Sequence, residues 1–266
     1  MTGALTTLAA DLRCSCLHAA AFCASTLALA ALGVGALSPA AFAADPSAFS
    51  GATGSQLPAG WRVVGLPERY AKPVTAIDIT PIEGTKVLRL KADSSYGNAV
   101  FATSGASVSS ASASISFKWR LDKPLPNANL LAKDADDVAL KVCLSFDMPL
   151  GNIPFAERAL FRLAQFSSPD KLPTATLCYV WDTTLAVDTE LANAYTKRLR
   201  YIVLNSGSAQ LGKWQTHKRN IAADFKRAFG AESDTTPAIS AVLVGADADN
   251  TRDSSLAYVG DIALTP

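Results

Sequence analysis

Short alternating segments, separated by turn-forming residues, are the feature that most restricts the fold of this chain. In segments such as "KVLRLKA" and "SASISFKWRL", apolar side chains occupy every second position, as Ile115, Phe117 and Trp119 do. A period of two places neighbouring side chains on opposite faces of a strand, so each segment predicts a half-buried β-strand. Eight or nine such strands with few helices predict a mainly β protein, an antiparallel, jelly-roll-like β-sandwich.

Two segments interrupt the strand pattern. In "NIPFAERALFRLAQFSSPDKLP", apolar residues recur at helical spacing from Phe155 to Phe166, which predicts a helical insertion between strands. In "RNIAADFKRAFG", Asn220 is placed to cap a short helix whose apolar face includes Phe225. Gly230 is placed to end that helix in a left-handed conformation.

An uncharged, alanine-rich run precedes the strand-rich region. Between Cys14 and Ala44 there is no Lys, Arg, Asp or Glu, and "SPAAFA" supplies the small residues of an A-x-A cleavage site. We therefore expect a cleaved signal peptide (1–43), a flexible leading segment (44–60) and a single β-sandwich domain (61–266) in a periplasmic or secreted protein. An uncleaved anchor is the alternative, because the run is long enough to span a bilayer.

The chain is nearly neutral, with 24 basic and 23 acidic residues, and cleavage would remove one of each. It therefore offers no sustained basic surface, which argues against a nucleic-acid partner and against electrostatic attachment to a membrane. No membrane span is expected after cleavage of the signal. Cys143 and Cys178 have two possible states. An oxidising compartment permits a disulfide between them, and they could equally be two buried thiols.

Candidate chemistry rests on carboxylates rather than on a nucleophile. Cleavage would leave His217 as the only histidine, and no G-x-S-x-G motif surrounds a serine, so no catalytic residue is assigned. Two carboxylate pairs, Asp136 with Asp137 and Asp247 with Asp249, could supply an acid and a base if they faced one cleft. The loop "DADNTRD" lacks the glycine and glutamate of an EF-hand, so no metal or cofactor is assigned, while a looser calcium site stays open.

The chain carries, in this order, the segments "SFKWRLD", "DADDVALKVCLSF", "LCYVW", "LNSGSAQLGKW", "RNIAADFKRAFG", "GADADNT" and "AYVGDIAL". Together they resemble the bacterial family called domain of unknown function 3047, most specifically from Trp214 to Gly230 and in "DADNT". The resemblance implies an exported, single-domain protein of unestablished activity. Lys141 stands where the family more often has an arginine, and a lysine lacks the bidentate guanidinium. "AYVGDIAL" is also similar to the last strand of galactose-binding-like jelly rolls, many of which are carbohydrate-binding modules.

The leading hypothesis is a non-catalytic domain that binds a glycan or another polar ligand of the cell envelope. Besides the four aspartates, its candidate residues are Trp119 and Trp214, as platforms for stacking on sugars, and Arg219 and Asp224, as polar contacts. Burial in the core is the competing interpretation of Trp119, and a structural ion pair is that of Arg219 and Asp224. Two alternatives are a glycoside-active hydrolase that uses the aspartate pairs and a structural or partner-binding protein with an apolar patch on the helical insertion.

Overall fold

The structure, a computed structural model, describes residues 45–106, 112–166, 168 and 171–265, so the expected signal peptide (1–43) lies outside the described residues. Within them are two α-helices, α1 (Phe155–Phe166) and α2 (Ile221–Phe229). The strands of the described residues are β1 (Trp61–Val64), β2 (Ala76–Ile82), β3 (Thr85–Asp93), β4 (Tyr96–Ala106), β5 (Ser114–Lys123), β6 (Val138–Phe146), β7 (Ala175–Asp182), β8 (Glu190–Ala192), β9 (Leu199–Ser206), β10 (Gln215–Asn220), β11 (Ile239–Asp247), β12 (Ser254–Val259) and β13 (Ala263–Thr265).

The strands form two sheets with a common core. One sheet has seven strands in the order β1-β4-β11-β6-β7-β9-β8, and the other has six, ordered β10-β5-β12-β3-β2 with β13 paired to β5. Val142 and Leu144 of the first sheet share one buried cluster with Leu88 and Trp119 of the second. The predicted mainly β sandwich, with a helical insertion and one short helix, is therefore confirmed.

The strand pattern differs from the prediction in several places. β7 and β9 pair in parallel, because the chain between them crosses over and includes β8, which is antiparallel to β9. The segment "LAYVGDIAL" is divided into β12 and β13 by residues 260–262. β1, β2 and β8 were not among the predicted strands. β2 contains Pro81, which is tolerated there because β2 is the edge strand of its sheet.

The leading segment contributes to the core. Phe49 is buried, and its ring centroid lies 4.9 Å from that of Trp61 in β1. The backbone N–H of Ser50 donates a hydrogen bond of 2.9 Å to Asp261 near the end of the chain. Phe49 and Ser50 therefore contact the domain from within the leading segment (44–60), whose flexibility stays a prediction.

Helix α2 begins as predicted and ends differently. The Asn220 side chain accepts a hydrogen bond of 2.7 Å from a backbone N–H of the first turn. Phe225 is buried, with its ring centroid 4.7 Å from that of Phe146 in β6. The prediction of a left-handed cap at Gly230 is wrong. Gly230 has a φ of −61° and a ψ of −22°, which continue the right-handed helix. Glycine suits this position for another reason, since a Cβ there would overlap the carbonyl oxygen of Lys226.

Helix α1 turns its apolar stripe outward. Its exposed apolar side chains are Phe155, Leu160, Leu163 and Phe166. Glu157, on another side of the helix, forms an ion pair of 2.6 Å with the buried Arg198 that precedes β9. Among the described residues, no helix has the length and apolar character needed to cross a membrane.

Cys143 and Cys178 form a disulfide between the adjacent strands β6 and β7. Both are buried in a second apolar cluster, together with Val180, Tyr201 and Val203. These residues alternate along their strands with members of the main core, such as Leu144 and Tyr179, so the second cluster lies on the outward face of the seven-stranded sheet. The sequence allowed either a disulfide or two buried thiols, and the structure contains the disulfide.

Candidate functional site

A groove of about 990 Å³ lies across the outward face of the seven-stranded sheet. Its floor includes Asn98 and Val100 of β4, Leu243 of β11, Ser145 of β6 and Thr176 of β7. Their chain neighbours point the other way, into the sandwich core, because side chains alternate along a strand. The volume is at the upper end of the range for small-ligand sites.

Asn98 is buried on this floor, with 6 % of its surface exposed, beside Ser145 at 3 % and Thr176 at 5 %. Within the described residues its side-chain amide has no hydrogen-bond partner. The neighbouring strand makes room for it at Gly245, where a Cβ would overlap Asn98 Oδ1. The amide therefore offers two N–H donors and a carbonyl acceptor to a ligand in the groove.

The rest of the polar floor is uncharged, and the charges lie at the rim. Ser145 Oγ and Thr176 Oγ1 are 3.2 Å apart and hydrogen-bonded, with either able to donate. At the rim, Lys171 and Asp147 form an exposed ion pair of 3.1 Å, and the exposed Arg62, Glu68 and Arg69 also line the groove. A floor of this kind suits a ligand with hydroxyl groups and no charge.

Tyr96 links the groove to a buried polar cluster at the end of the sheet. Its side chain lines the groove, and the Lys141 Nζ lies 5.0 Å from the centre of its ring. Tyr96 pairs with Asp247 in the register between β4 and β11. The cluster therefore lies beside one end of the groove, while its carboxylates do not line it within the described residues.

The fold brings the two aspartate pairs predicted from the sequence together. β11 and β6 are antiparallel neighbours, and Asp247, at the end of β11, pairs with Val138, at the start of β6. The residues before β6 and those after β11 consequently meet at one edge of the sheet. One carboxylate oxygen from each of Asp137, Asp247 and Asp249 lies within 4.8 Å of the others, and all three residues are buried.

Asp137 holds the loop that follows β11. Its Oδ1 accepts a hydrogen bond of 3.1 Å from the backbone N–H of Asn250. Its Oδ2 accepts one of 2.7 Å from the backbone N–H of Thr251 and one of 2.6 Å from the Thr251 hydroxyl. The "DADNT" loop thus has the backbone contacts typical of an aspartate-bonded turn.

Lys141 is the buried cation of the cluster. Its Nζ donates to Asp247 Oδ1. Burial acts to lower the pKa of Lys141, but Asp247, Tyr96 and Asp136 together outweigh it and raise that pKa above its usual range. Burial also raises the pKa of Asp247 to about 6, against the attraction of Lys141. Lys72 lies at the border, 3.3 Å from Asp249 Oδ2.

Asp136 is the member of the cluster whose second carboxylate oxygen lacks a hydrogen-bond partner among the described residues. Its Oδ2 accepts a hydrogen bond from Asn193, while its Oδ1 is buried without a partner. Burial raises the pKa of Asp136 to about 6; Asn193 and Lys141 oppose this rise, and Asp137 and Asp249 add to it. The side chain is therefore enclosed among carboxylates that repel it.

Arg219 and Asp224 form an ion pair that joins α2 to the sheet. Arg219 Nε and Nη2 donate to the two Asp224 oxygens at 2.9 and 2.7 Å. The Tyr179 hydroxyl, from the core face of β7, donates to Asp224 Oδ2 at 2.9 Å. Among the described residues, no hydrogen bond or ion pair connects this pair with the aspartate cluster. Of the two interpretations of Arg219 and Asp224 that the sequence allowed, this geometry agrees with the structural ion pair.

The two candidate tryptophans lie in different surroundings. Trp119 is fully buried in the core, and its Nε1 donates to Asn205 Oδ1 at 2.8 Å, so this ring offers no face to a sugar. Trp214, just before β10, is partly exposed and stacks with Lys118, whose Nζ is 5.0 Å from the ring centre. Trp214 does not line the groove.

The sequence profile of a family described as "Protein of unknown function (DUF3047)" matches residues 59–263. The chain belongs to the DUF3047 family. The match includes both halves of the aspartate cluster and the floor of the groove, and it confirms the resemblance found in the sequence. No curated protein matches the chain.

Solved structures show distant likeness to this member of the family. A carbohydrate-binding module of type CBM28, specific for non-crystalline cellulose, is 15 % identical, with a TM-score of 0.38 over 86 % of this chain and 97 % of that one. The endo-1,4-β-glucanase CelB2 is 12 % identical, with a TM-score of 0.42 over 80 % and 95 %. A family 11 carbohydrate-binding module from Clostridium thermocellum, in complex with a β-1,3-1,4-mixed-linked tetrasaccharide, is 11 % identical, with a TM-score of 0.34 over 77 % and 88 %.

Sequence reasoning missed the residues on the floor of the groove. Asn98, Ser145 and Thr176 are single uncharged polar residues inside strands, where they look like ordinary outward-facing positions. The available signal was Gly245, a glycine inside the strand segment "AISAVLVGA", since such a glycine often marks a close approach of another group.

Proposed function

We propose that this protein binds an uncharged glycan, or another hydroxyl-rich ligand of the cell envelope, in the groove on the outward face of the seven-stranded sheet. The observation that carries the proposal is the Asn98 amide, which is almost buried on the groove floor and lacks a partner among the described residues. The amide is free to exchange hydrogen bonds with water for hydrogen bonds with a ligand in the groove.

The chemistry of the floor favours a sugar over an ionic ligand. Asn98, Ser145 and Thr176 both donate and accept hydrogen bonds, as sugar hydroxyls do. Between them, Val100 and Leu243 offer apolar surface to the C–H groups of a pyranose ring. A phosphate or carboxylate ligand would call for fixed cations on the floor, whereas the exposed Arg62, Arg69 and Lys171 lie at the rim.

Export to the periplasm or the exterior is part of the proposal. The disulfide between Cys143 and Cys178 supports it, because such bonds persist in oxidising compartments and are rare in the cytosol. The uncharged segment before residue 44 supports it independently. A cell-envelope glycan would be accessible in that location.

A glycoside-active hydrolase has weaker support. The aspartate pairs do meet, as that hypothesis requires, and the pKa of Asp136 is raised to about 6 by burial. The carboxylates are nevertheless enclosed, and the groove is lined by other residues. A glycosidase needs its two carboxyl groups on either side of the scissile bond, in contact with substrate.

A partner-binding protein would need an exposed apolar surface. The outward apolar stripe of α1 provides one, and a partner bound there would not depend on the groove.

A glycan-array screen followed by calorimetry tests the proposal. Peptidoglycan fragments, lipopolysaccharide oligosaccharides and neutral plant oligosaccharides would be screened, with sulfated glycans as charged controls. The strongest neutral binder would then be titrated into the wild type, Asn98→Ala and Thr216→Ala. Thr216 is exposed on the other sheet and is the matched control.

We expect a neutral glycan to bind, Asn98→Ala to weaken it by about tenfold or more, and Thr216→Ala to leave it unchanged. A screen with no binding to any neutral glycan, with or without calcium, would overturn the proposal. So would equal affinity of Asn98→Ala and the wild type.

A further inference from the structure

The aspartate cluster holds more negative than positive charge. It contains the four carboxylates of Asp136, Asp137, Asp247 and Asp249, all of them buried. Among the described residues, the cations that contact them are Lys141 and Lys72. With every group ionised, two negative charges remain uncompensated at a site shielded from water, where charge is costly.

The spacing of the carboxylates matches a cation that is coordinated by oxygen. Calcium binds oxygen ligands at about 2.3–2.6 Å, so two ligands on opposite sides of the ion are about 4.6–5.2 Å apart. The ligand oxygens of Asp137, Asp247 and Asp249 all lie within 4.8 Å of one another. A single ion between them would reach all three without a large movement of the chain.

Asp136 supplies an observation that does not depend on this spacing. Its side chain is 5 % exposed, and its Oδ1 is buried without any hydrogen-bond partner. Asp136 precedes Asp137 in the chain, and its backbone carbonyl accepts a hydrogen bond of 3.2 Å from the side chain of Asn250, in the loop that Asp137 also holds. Buried polar atoms are normally satisfied, so an unpartnered carboxylate oxygen among other carboxylates points to a missing cation.

We infer that the cluster is a binding site for a divalent cation of the size of Ca²⁺. Asp137, Asp247 and Asp249 each provide a carboxylate oxygen, and Asp136 adds its unpartnered oxygen to the same negative site. The bound ion neutralises the remaining charge and ties the loop after β11 to the start of β6.

The donor set selects the kind of ion. All the candidate ligands are oxygens, which suit calcium or magnesium, whereas zinc and copper prefer nitrogen and sulfur. Magnesium requires octahedral ligands at about 2.0–2.1 Å and keeps several of its waters, so an enclosed set of carboxylates with wide spacing favours calcium.

Calcium binding to the purified protein tests the inference directly. The protein would be treated with a chelator and titrated with CaCl₂ in a calorimeter, with MgCl₂ as the comparison. Its melting temperature would be measured with and without CaCl₂, because a ligand that binds the folded state raises that temperature. Asp249→Asn removes one ligand charge at the border of the cluster. The matched control is Asp134→Asn, which alters an exposed aspartate close by in the chain.

We expect calcium to bind and to raise the melting temperature, with magnesium weaker. Asp249→Asn should weaken calcium binding by roughly tenfold or more, since affinity depends on the number of charged ligands, and Asp134→Asn should bind as the wild type does. Absence of both calcium binding and a thermal shift in the folded wild type would overturn the inference, as would binding of magnesium alone. Unchanged calcium affinity in Asp249→Asn would place the ion elsewhere and overturn the assignment.

If Asp249→Asn does not fold, Asp136→Asn replaces it, because the amide keeps the shape of the side chain and removes its charge. The same weakening is expected, and wild-type affinity would contradict the site. Glycan binding and calcium binding are measured separately, so the failure of one proposal is distinguishable from that of the other.

Discussion

Asp137, just before the start of one strand, and Asp247, at the end of its neighbour, bring carboxylate oxygens within 4.8 Å of each other. Asp137 precedes β6, and Asp247 ends β11, which is antiparallel to β6. The register of these strands therefore assembles the aspartate cluster. It also sets the cluster beside Tyr96, at one end of the proposed glycan groove.

Replacement of Gly245 should disturb the floor of the groove. In Gly245→Ala the new Cβ would overlap Asn98 Oδ1, so the Asn98 side chain must leave its position. We expect the affinity for the neutral glycan to fall by about tenfold, as measured by calorimetry. Gly151→Ala is the control, because a Cβ at Gly151 meets no atom within 4 Å. Equal glycan affinity in both variants would contradict the role of Asn98.

The core should depend on Phe225. Its ring packs between those of Phe146 and Phe229, at centroid distances of 4.7 and 5.4 Å. Phe225→Ala should lower the free energy of unfolding by about 3–5 kcal/mol, measured by chemical denaturation. Phe155→Ala, on the exposed side of α1, should change it by less than about 0.5 kcal/mol. A similar loss in both variants would show that α2 is packed differently.

The Arg219–Asp224 pair should stabilise the fold more than a surface pair of the same shape. Arg219→Ala leaves the buried Asp224 with only the Tyr179 hydroxyl, and we expect a loss of about 1–3 kcal/mol in the free energy of unfolding. Arg89 donates to Asp78 through Nε and Nη2 in the same way, but at the surface. Arg89→Ala should therefore cost about 0–1 kcal/mol. Equal thermal melts of wild type and Arg219→Ala would return Arg219 to the candidate ligand-binding residues.

His217 should make the fold less stable in mild acid. Its Nε2 lies 2.8 Å from Asn205 Oδ1, and burial, followed by repulsion from Arg219, lowers the pKa of His217 from 6.5 to about 4. The unfolded chain binds a proton near pH 6.5 and the folded one near pH 4. The contribution of the neutral ring is therefore complete above pH 6.5 and is lost as the pH falls toward 4.

A comparison of wild type with His217→Gln isolates this effect. The difference in their free energies of unfolding should shrink below pH 6.5, by up to about 1 kcal/mol per pH unit because the ring is only partly buried. The variant is needed because the pKa values of Asp136 and Asp247 are raised to about 6. These two groups increase the free energy of unfolding as the pH falls through this range, whereas His217 decreases it. A difference that stays constant from pH 7 to pH 4.5 would contradict the lowered pKa of His217.

The sandwich was predictable because its strands are amphipathic. Alternation around Phe117 and Trp119 reports directly which side chains enter the core. The cap at Asn220 was predictable for a similar reason, since the preference of asparagine for that position is local. The conformation of Gly230 was not, because glycine is compatible with both left-handed and right-handed backbone.

The candidate site was only half visible in the sequence. The four aspartates stood out by composition, but their convergence depends on which strands are neighbours, and the pairing of β11 with β6 is not a local property. Asn98 was overlooked because a polar residue in a strand usually faces solvent. Its importance follows from burial and from the lack of a partner, which only the packed sheet defines.

The most direct test of the proposed groove is a chemical-shift map of the isotope-labelled protein, titrated with the strongest neutral glycan from the array. We predict that the side-chain amide signals of Asn98 and the backbone signals of Ser145 and Thr176 shift in proportion to the bound fraction. The signals of Lys118, on the other sheet, and of Trp214, just before β10 of that sheet, should stay in place. Shifts centred on Trp214, with Asn98 unaffected, would contradict the groove as the binding site.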